Sequence, residues 1–375
     1  MNISYKLKLE QEKKLKSLLS DFEKTAFVLS EFSEEKITYI KQCSFISNIG
    51  ASTRIENAVL TDVEIDWIDT EIRKDDRENF AVEEKFIKNK LSADKERSIE
   101  EVAGYRGCLK LINDQYKDFV PLRKIDVKAF HKEILKYYSR ADYHLGDYKK
   151  HTNKVIEKDY LTGREVVVLD PAPPGIFTED SMKELIDWYN GALNNEVWPV
   201  AVAVELVLRF LAIHPFQDGN GRISRLLFQL ILICSEDKCF NKVMPYVGLD
   251  RCIEQTRSQY YKVLKKSTDG KFKRDPKKYK YNYFFDYMID ILRNSLDNFD
   301  YYVKKYENYI TLSNTSLEIL KCFKNEPEVN LQTKDIVKKL GIPRRTVIYS
   351  LNSLSDKGFI QRLGQGRALR YKITF

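Results

Sequence analysis

Residues that form turns are scarce in this chain. It has 15 glycines and 10 prolines among 375 residues, whereas average usage would give roughly 45 of the two together. A fold of many short strands needs frequent turns, so this scarcity argues against a β-sandwich or barrel and favours helices. The hydrophobic fraction of 43% and the charged fraction of 31% exclude a disordered chain. The length predicts two or three domains.

Long apolar runs and paired cysteine motifs are also absent. No run of about 18 uncharged apolar residues occurs, so no membrane-spanning helix is predicted. The first residues, MNISYKLKLE, lack the apolar core of a secretory signal. The six cysteines form no C-x-x-C pair, which indicates reduced thiols rather than a zinc site or a disulfide framework. These absences predict a cytoplasmic protein without a membrane partner.

The excess of positive charge lies at one end of the chain, whose net charge is +8. Residues 331–375 contain five lysines, five arginines, two aspartates and no glutamate, which accounts for all of the excess. The rest of the chain is neutral in sum. This distribution predicts a small basic module joined to a neutral body.

Apolar residues recur at helical spacing through most of the neutral body. Two stretches, 198–213 and 223–233, are nearly all apolar and predict buried central helices. Asp126 stands where its carboxylate would cap the start of another helix.

The pattern changes between residues 144 and 175, where glycine, proline and asparagine become frequent. Strand-like runs at 153–156 and 165–170 flank the sequence Leu161-Thr162-Gly163. We therefore predict a β-hairpin with its turn at 161–163.

The segment between the two apolar helices, residues 214–225, reads HPFQDGNGRISR. Two glycines around one asparagine let main-chain N–H groups face a single anion at the start of a helix. Arg222 and Arg225 offer guanidinium groups for phosphate oxygens. Asp218 offers a hard oxygen ligand for Mg²⁺, and His214 is a base at neutral pH. An anion site, a metal carboxylate and a base this close together indicate phosphoryl or nucleotidyl transfer.

The alternative is an ordinary turn between two helices, with Asp218 as a helix cap. A single histidine or a single Gly-x-Gly would favour that alternative. Here one explanation must cover every element of the motif, and the chain has only four histidines to supply a base. We therefore prefer the catalytic interpretation.

Residues 214–225 resemble the motif of the Fic family of AMP-transferring proteins. That motif, His-Pro-Phe-x-Asp-Gly-Asn-Gly-Arg-x-x-Arg, is matched at every specified position. The resemblance extends roughly from Gly50 to Thr268. It implies a helical core that transfers AMP from ATP to a Ser, Thr or Tyr hydroxyl of a protein, with self-modification left open.

The resemblance also implies a role for each matching residue. His214 would take the proton from the target hydroxyl, whose oxygen attacks the α-phosphorus of ATP and releases pyrophosphate. Asp218 would hold Mg²⁺ on the α- and β-phosphates. The groups that contact the phosphates would be Gly219, Asn220, Gly221, Arg222 and Arg225, with Arg225 on the γ-phosphate. Relatives that transfer phosphate have lysine after the aspartate, so Gly219 favours AMP transfer.

Two further features fit the family. The predicted hairpin resembles the flap that holds the target backbone by strand addition, although a plain surface hairpin is the alternative. Tyr260 and Tyr261 stand where the family has aromatic residues near the adenine. As residues of an amphipathic helix they fit the core equally well.

Residues 52–57, STRIEN, match the inhibitory pattern Ser/Thr-x-x-x-Glu-Gly/Asn that some Fic relatives carry. Ser52 and Glu56 are four residues apart and share one helix face. Glu56 is predicted to form a bidentate pair with Arg225, which would misalign ATP for attack. The alternative is an ordinary surface glutamate.

The basic module resembles a winged-helix domain. The predicted elements are three helices and two strands, at 315–323, 333–340, 343–356, 359–363 and 368–374. Arg344 and Arg345 begin the third helix, where base and phosphate contacts are made, and Arg367 lies in the wing. The charge favours DNA binding, and a protein-contact module is the alternative.

We therefore predict a mainly α protein that uses ATP and Mg²⁺. Its parts are an N-terminal helical region at 1–98, a Fic core with its flap at 99–300 and a winged helix at 310–375. One alternative is a DNA-binding regulator that only senses ATP, but a sensor needs no base such as His214. The other is an enzyme that removes AMP from proteins. The sequence does not identify the protein target, and it does not decide whether the protein forms a homodimer.

Overall fold

The computed structural model describes residues 2–74, 79–158, 165–193, 198–235 and 238–375. These residues are mainly helical, with a few short strands, as the sequence predicts. Among them no helix is both long enough and apolar enough to cross a bilayer.

The elements are numbered here in chain order. The helices are α1 (Leu9–Ser30), α2 (Glu34–Ile55), α3 (Asp62–Arg73), α4 (Phe80–Lys90), α5 (Glu96–Gln115), α6 (Lys124–Leu135), α7 (Ile176–Leu193), α8 (Pro199–Ile213), α9 (Asn220–Cys234), α10 (Lys238–Val243), α11 (Leu249–Gln255), α12 (Arg257–Thr268), α13 (Tyr281–Ile310), α14 (Asn314–Lys324), α15 (Thr333–Leu340) and α16 (Arg344–Asp356). The strands are β1 (Val155–Lys158), β2 (Glu165–Leu169), β3 (Ile360–Leu363) and β4 (Arg370–Ile373).

The chain divides into two compact units. Unit 1 contains Met1–Ala58 and Arg97–Phe299, and unit 2 contains Val59–Glu96 and Asp300–Phe375. The three-part division at 1–98, 99–300 and 310–375 stays a prediction about domains.

Two adjacent helices, α8 and α9, form the centre of unit 1. Pro199 begins α8, where its missing N–H costs no hydrogen bond. Every residue of α8 from Val200 to Ile213 is buried, and most of α9 is buried too. Both predicted apolar helices are therefore present, and α9 begins three residues earlier than its apolar run, at Asn220. The loop that joins them carries the motif.

Helix α6 begins earlier than the sequence suggested. It starts at Lys124, so Asp126 lies inside its first turn instead of preceding it. The Asp126 carboxylate accepts a hydrogen bond from the Arg123 N–H at 2.8 Å. Asp126 thus still stabilises the helix start, but from the third helical position.

Helix α2 is part of the core of unit 1. Twelve of its residues, most of its C-terminal half, are buried. Asn48 Nδ2 donates to the Val247 carbonyl at 2.9 Å, and Asn48 Oδ1 accepts from the Asp250 N–H at 3.0 Å. The helix ends at Ile55, and Glu56 is its C-cap residue. These bonds to α11 and the residues before it fix the end of α2 that carries Glu56.

Strands β1 and β2 form an antiparallel pair, with Ile156 opposite Val167 and Lys158 opposite Glu165. This is the hairpin that the sequence predicts. Its turn at 161–163 lies outside the described residues. Ile156 and Val167 are 48% and 44% exposed, so apolar side chains of the hairpin face solvent.

Unit 2 contains the basic module together with α3 and α4. Helices α14, α15 and α16 and the antiparallel pair β3–β4 surround an apolar core that includes Phe323, Ile336 and Leu351. This is the predicted order of elements, and its identity as a winged helix stays a prediction. Lys95 bonds both Glu64 and Glu328, so one ion cluster joins the two chain segments that make up unit 2.

Candidate active site

Left-handed backbone angles shape both ends of the motif loop. His214 ends α8 with φ 50° and ψ 61°, and Gly219 precedes α9 with φ 79°. A histidine at positive φ is uncommon and is found most often where surrounding structure imposes it. Glycine accepts this conformation without strain.

The Asn220 side chain closes the loop. Its Oδ1 accepts from the Phe216 N–H at 2.9 Å, and its Nδ2 donates to the Phe216 carbonyl at 2.7 Å. The Asn220 amide therefore serves the loop itself. Its main-chain N–H lies in the first turn of α9, where N–H groups have no intrahelical partner.

Phe216 is fully buried and anchors the loop. Its ring stacks on His131 with centroids 4.1 Å apart and planes 8° from parallel. Burial, with a smaller contribution from the nearby His144, lowers the pKa of His131 to about 3. His131 is therefore neutral and supports the loop from α6.

His214 has the geometry of a general base. Its Nδ1 lies 3.3 Å from the Leu211 carbonyl. Because a carbonyl only accepts, this bond requires the tautomer with hydrogen on Nδ1, which leaves Nε2 as the acceptor. Burial lowers the pKa of His214 to about 4, and the Lys149 cation acts in the same direction. The ring is therefore neutral at pH 7, as a base must be.

Asp218 is the one motif carboxylate. Its side chain is 44% exposed, and its Oδ1 accepts from the Gly219 N–H at 2.6 Å. Burial raises its pKa, but Arg222 and the Gly219 N–H outweigh that effect and hold the pKa below its usual value. Asp218 is therefore ionised and open to solvent. Among the described residues no cluster of three or more His, Cys, Asp or Glu could by itself hold a metal ion.

Arg222 is buried without enough partners. It is 1% exposed, and its Nε and Nη1 atoms have no hydrogen-bond partner among the described residues. Its Nη2 approaches Asp218 only at 3.5 Å. A buried guanidinium with unpaired N–H groups is costly unless an anion binds it. The first turn of α9 supplies further N–H donors and the positive end of the helix dipole.

Arg225 contacts the end of α2. Its Nε donates to Ser52 Oγ at 2.8 Å, and its Nη2 donates to the Ser52 carbonyl at 2.8 Å and to Glu56 Oε1 at 2.9 Å. The predicted Ser52, Glu56 and Arg225 thus lie together. The predicted bidentate pair is wrong, since only one guanidinium nitrogen bonds one carboxylate oxygen. The second nitrogen already holds Ser52, and Nη1 is buried without a partner among the described residues.

The Glu56 carboxylate lies over the first turn of α9. A Cβ atom on Gly221 would collide with Glu56 Oε1. Glycine at this position therefore lets a carboxylate approach the main-chain N–H groups at the start of α9. Glu56 occupies the same surroundings that an anionic ligand would use.

A buried carboxylate lies behind Arg225. Asp250 is fully buried and accepts a hydrogen bond from Tyr105 Oη at 2.7 Å. Burial raises the pKa of Asp250, while the Arg225 cation lowers it. Neither Asp250 nor Tyr105 was a candidate from the sequence, because nothing local distinguishes a buried aspartate or tyrosine in a helix.

Tyr260 and Tyr261 are 4% and 9% exposed. Tyr260 packs against Phe284 and Tyr287 in an aromatic cluster. Burial raises the pKa of Tyr260 above its usual range, and Arg225 is close enough to oppose that rise. The two tyrosines thus belong to the core and also lie near Arg225, and their contact with adenine stays a prediction.

The basic residues predicted for DNA lie in unit 2. Arg344 and Arg345 are exposed in the first turn of α16. The side chain of Arg367 lies outside the described part of the structure. Tyr349, on the same helix, is 77% exposed.

Comparison with known proteins supports the resemblance at the level of the domain. Residues 121–232 match the model of the Fic/DOC family, and this range includes the whole motif. The "Protein adenylyltransferase Fic" of Drosophila mojavensis is 28% identical over 170 residues, which is 45% of this chain. The "Protein adenylyltransferase fic-1" of Caenorhabditis elegans is 32% identical over 88 residues, 24% of this chain. The matched parts span only 29% and 15% of those relatives.

Solved structures share the fold. A Fic family protein from Desulfovibrio desulfuricans G20 aligns with 100% of this chain and 98% of its own, with a TM-score of 0.56 and 20% identity. A Fic domain containing signaling protein from Bacteroides thetaiotaomicron aligns with 76% of this chain and 97% of its own, with a TM-score of 0.55 and 21% identity. At these identities the likeness concerns the fold alone. Together the comparisons support a Fic domain in this chain, with adenylyltransferase relatives at modest identity.

Proposed function

We propose that this protein transfers AMP from ATP to a hydroxyl group of a protein. The observation that carries the proposal is Arg222, a buried guanidinium beside the N-terminus of α9 with two nitrogens that find no partner in the described part of the chain. Such a site binds an anion. It lies in the same motif as His214, a neutral base whose Nε2 is its acceptor. An anion site and a base in one motif fit transfer of a phosphorus group to a hydroxyl.

The chemistry needs one proton transfer. His214 Nε2 accepts the proton of the target hydroxyl as that oxygen bonds to the α-phosphorus. The bond from the α-phosphorus to the bridging oxygen breaks, and pyrophosphate leaves with that electron pair. The Leu211 carbonyl keeps the ring oriented and stabilises the imidazolium that forms.

The phosphates have three sets of ligands in this proposal. Arg222 and the N–H groups of residues 220 and 221 hold the phosphates nearest the reaction, and Arg225 holds the γ-phosphate. The Gly219 N–H already donates to Asp218 Oδ1. Asp218, ionised and 44% exposed, fits Mg²⁺, which proteins often bind with one or two carboxylates plus substrate phosphates. When bound, the ion would neutralise charge on the phosphates.

Glu56 opposes this chemistry. Its carboxylate bonds Arg225 and lies against Gly221, so it competes with phosphate for both. ATP would then bind with its α-phosphorus displaced, and a displacement of about 1 Å can cost on the order of 10²-fold in rate. Asn48 holds α2 in the core. In this proposal, inhibition is therefore released by a conformational change at residues 56–58, and α2 itself stays in place.

The hairpin would bind the target. The exposed side chains of Ile156 and Val167 and the paired strands suit addition of a target segment as a further strand. A flexible segment of another copy of this chain would serve equally, which would give self-modification. The cytoplasmic location stays a prediction.

Unit 2 suggests a second activity, the binding of duplex DNA. Arg344 and Arg345 are exposed at the start of α16, and the surrounding 45 residues carry the whole net charge of +8. Exposed guanidinium groups on a helix N-terminus suit contact with phosphates and bases.

The test of the main proposal uses the full chain carrying Glu56→Gly and ATP labelled in the α-phosphate. Label should enter protein, and adding His214→Ala should lower the rate by about 10²–10⁴. His151→Ala is the matched control, since His151 is exposed. Equal labelling by the His214→Ala and His151→Ala proteins would refute the mechanism. Label from γ-labelled ATP instead would identify phosphate transfer.

A further inference from the structure

Two side chains without a role in the chemistry lie beneath the His214 loop. Lys149 is only 3% exposed. Its Nζ donates to the Ile213 carbonyl at 3.0 Å and to Asn153 Oδ1 at 2.9 Å. Its main-chain N–H donates to the Pro215 carbonyl at 2.8 Å.

Asn153 completes the arrangement. Its Nδ2 donates to the Phe216 carbonyl at 2.5 Å and lies 3.3 Å from the His214 carbonyl. One five-residue segment, 149–153, therefore binds four consecutive carbonyls, those of residues 213–216. These include carbonyls at the end of α8, which have no partner within the helix.

A neutral donor would be enough to satisfy these carbonyls. Burying a lysine costs more than burying an amide, because its charge loses hydration. Burial lowers the pKa of Lys149 to about 8, so it remains a cation at pH 7. A buried cation next to a general base calls for an explanation beyond packing.

We propose that Lys149 and Asn153 are positioning residues for His214. They hold the main chain at 213–216, so that His214 keeps its left-handed conformation, Nδ1 stays on the Leu211 carbonyl and Nε2 faces the substrate. The expected change in kcat rests on the proposed AMP transfer, whereas the expected change in the pKa of His214 does not.

The charge of Lys149 affects the pKa of His214, which is separate from its effect on the position of the loop. Of the charged groups in the described ranges, Lys149 lowers the pKa of the His214 ring and Asp218 raises it. Asn153 is neutral and has no such effect. Removing Lys149 should therefore raise the pKa of His214, while removing Asn153 should not.

The test compares three variants: Lys149→Met, Asn153→Ala and Lys150→Met. Lys150 is exposed, so Lys150→Met removes the same charge one residue away. The pKa of His214 is read from NMR titration of protein with ¹³C-labelled histidine. The chain has four histidines, so His214→Ala assigns the signal. Melting temperatures show which variants fold.

Lys149→Met should raise the pKa of His214 and lower kcat by about 10²-fold, the cost of a misplaced catalytic group. The KM for ATP should not change, since Lys149 touches no phosphate ligand. Asn153→Ala should lower kcat without moving the pKa. If Lys149→Met does not fold, Asn153→Ala still tests the positioning.

The proposal is overturned if kcat and the pKa stay at wild-type values in Lys149→Met, or if Lys150→Met has the same effects. It is also overturned if the loss lies entirely in KM. A chain that transfers no AMP at all refutes the proposed function, and the NMR titration still decides the role of Lys149.

Discussion

The arginines of the motif and the arginines of α16 are the same side chain in opposite surroundings. Arg222 and Arg225 are 1% and 3% exposed, and within the described structure Arg222 Nε, Arg222 Nη1 and Arg225 Nη1 have no hydrogen-bond partner. Arg344 and Arg345 are exposed to solvent. A buried guanidinium needs an anion to offset its lost hydration, so its presence indicates that the ligand is an anion. An exposed guanidinium is already hydrated, so its presence says little about what it binds.

The two regions also differ in how a substitution should act. In the motif, removing one arginine breaks a buried network, so the effect should be large and specific. In α16, removing an arginine changes a long-range attraction, so the effect should depend on salt. The predictions that follow test this contrast.

Among the predictions that test this contrast, the largest effect is expected for Arg222→Ala. In a Glu56→Gly chain it should lower kcat/KM for AMP transfer by about 10²–10³, the usual loss when one group that stabilises developing charge is removed. Arg123→Ala is the control, because that side chain is 61% exposed and bonds only Asp126 among the described residues. A rate for Arg222→Ala equal to that control would break the contrast between buried and exposed arginines.

The next effect is the release of inhibition by Glu56→Gly. Arg225 and Gly221 would become free for phosphate, so the initial rate of labelling should rise by about 10²-fold. Glu31→Gly is a matched control, since Glu31 is an exposed C-cap of α1 as Glu56 is the C-cap of α2. Glu64 would be a poor control because it is 4% exposed and bonds Lys95.

An unchanged rate in Glu56→Gly would remove Glu56 from the mechanism. It would leave the anion site at Arg222 untouched, because Arg222 makes no contact with Glu56 in the described structure. The two substitutions therefore test separate parts of the site.

The sequence was sufficient for the parts of this site that depend on local chemistry. The motif at 214–225 combines residue types that rarely occur together by chance, and the two apolar helices around it follow from hydrophobicity alone. The spacing of Ser52 and Glu56 also placed both on the face that meets Arg225. The basic module could be predicted because the distribution of lysine and arginine along the chain is read directly from the sequence.

The residues that support the motif through tertiary contacts could not be predicted from the sequence. Lys149 lies in a polar segment, and nothing in its neighbours indicates that its side chain is 97% shielded from solvent. His131, Asn153 and Asp250 become important only when α6, the segment before the hairpin and α11 come together with the motif. Their roles depend on tertiary contacts, which a pattern along one segment does not contain.

A smaller effect is expected for DNA binding by the full chain. Arg344→Ala with Arg345→Ala should reduce the slope of log affinity against log salt by about 2, since each phosphate contact contributes about 0.9. Between 50 and 200 mM salt this amounts to roughly tenfold. Lys277→Ala with Lys278→Ala removes the same charge from an exposed loop of unit 1. Equal slopes in the two double variants, or no binding at low salt, would refute the DNA proposal.

The smallest effect concerns pH, and it distinguishes a base with a lowered pKa from a base with an ordinary pKa. Burial, with help from Lys149, lowers the pKa of His214 to about 4. A base acts in its neutral form, so activity should fall only as the pH drops through about 4 and should be flat above that. A histidine with an ordinary pKa of about 6.5 would be only about one quarter neutral at pH 6 and would lose roughly fourfold relative to pH 8. We therefore expect kcat/KM in the Glu56→Gly chain to be the same at pH 6 and pH 8 within about 1.5-fold. A fourfold loss at pH 6 would mean that the His214 ring is hydrated during the reaction, and the contrast between the motif and the exposed arginines of α16 would then not extend to its base.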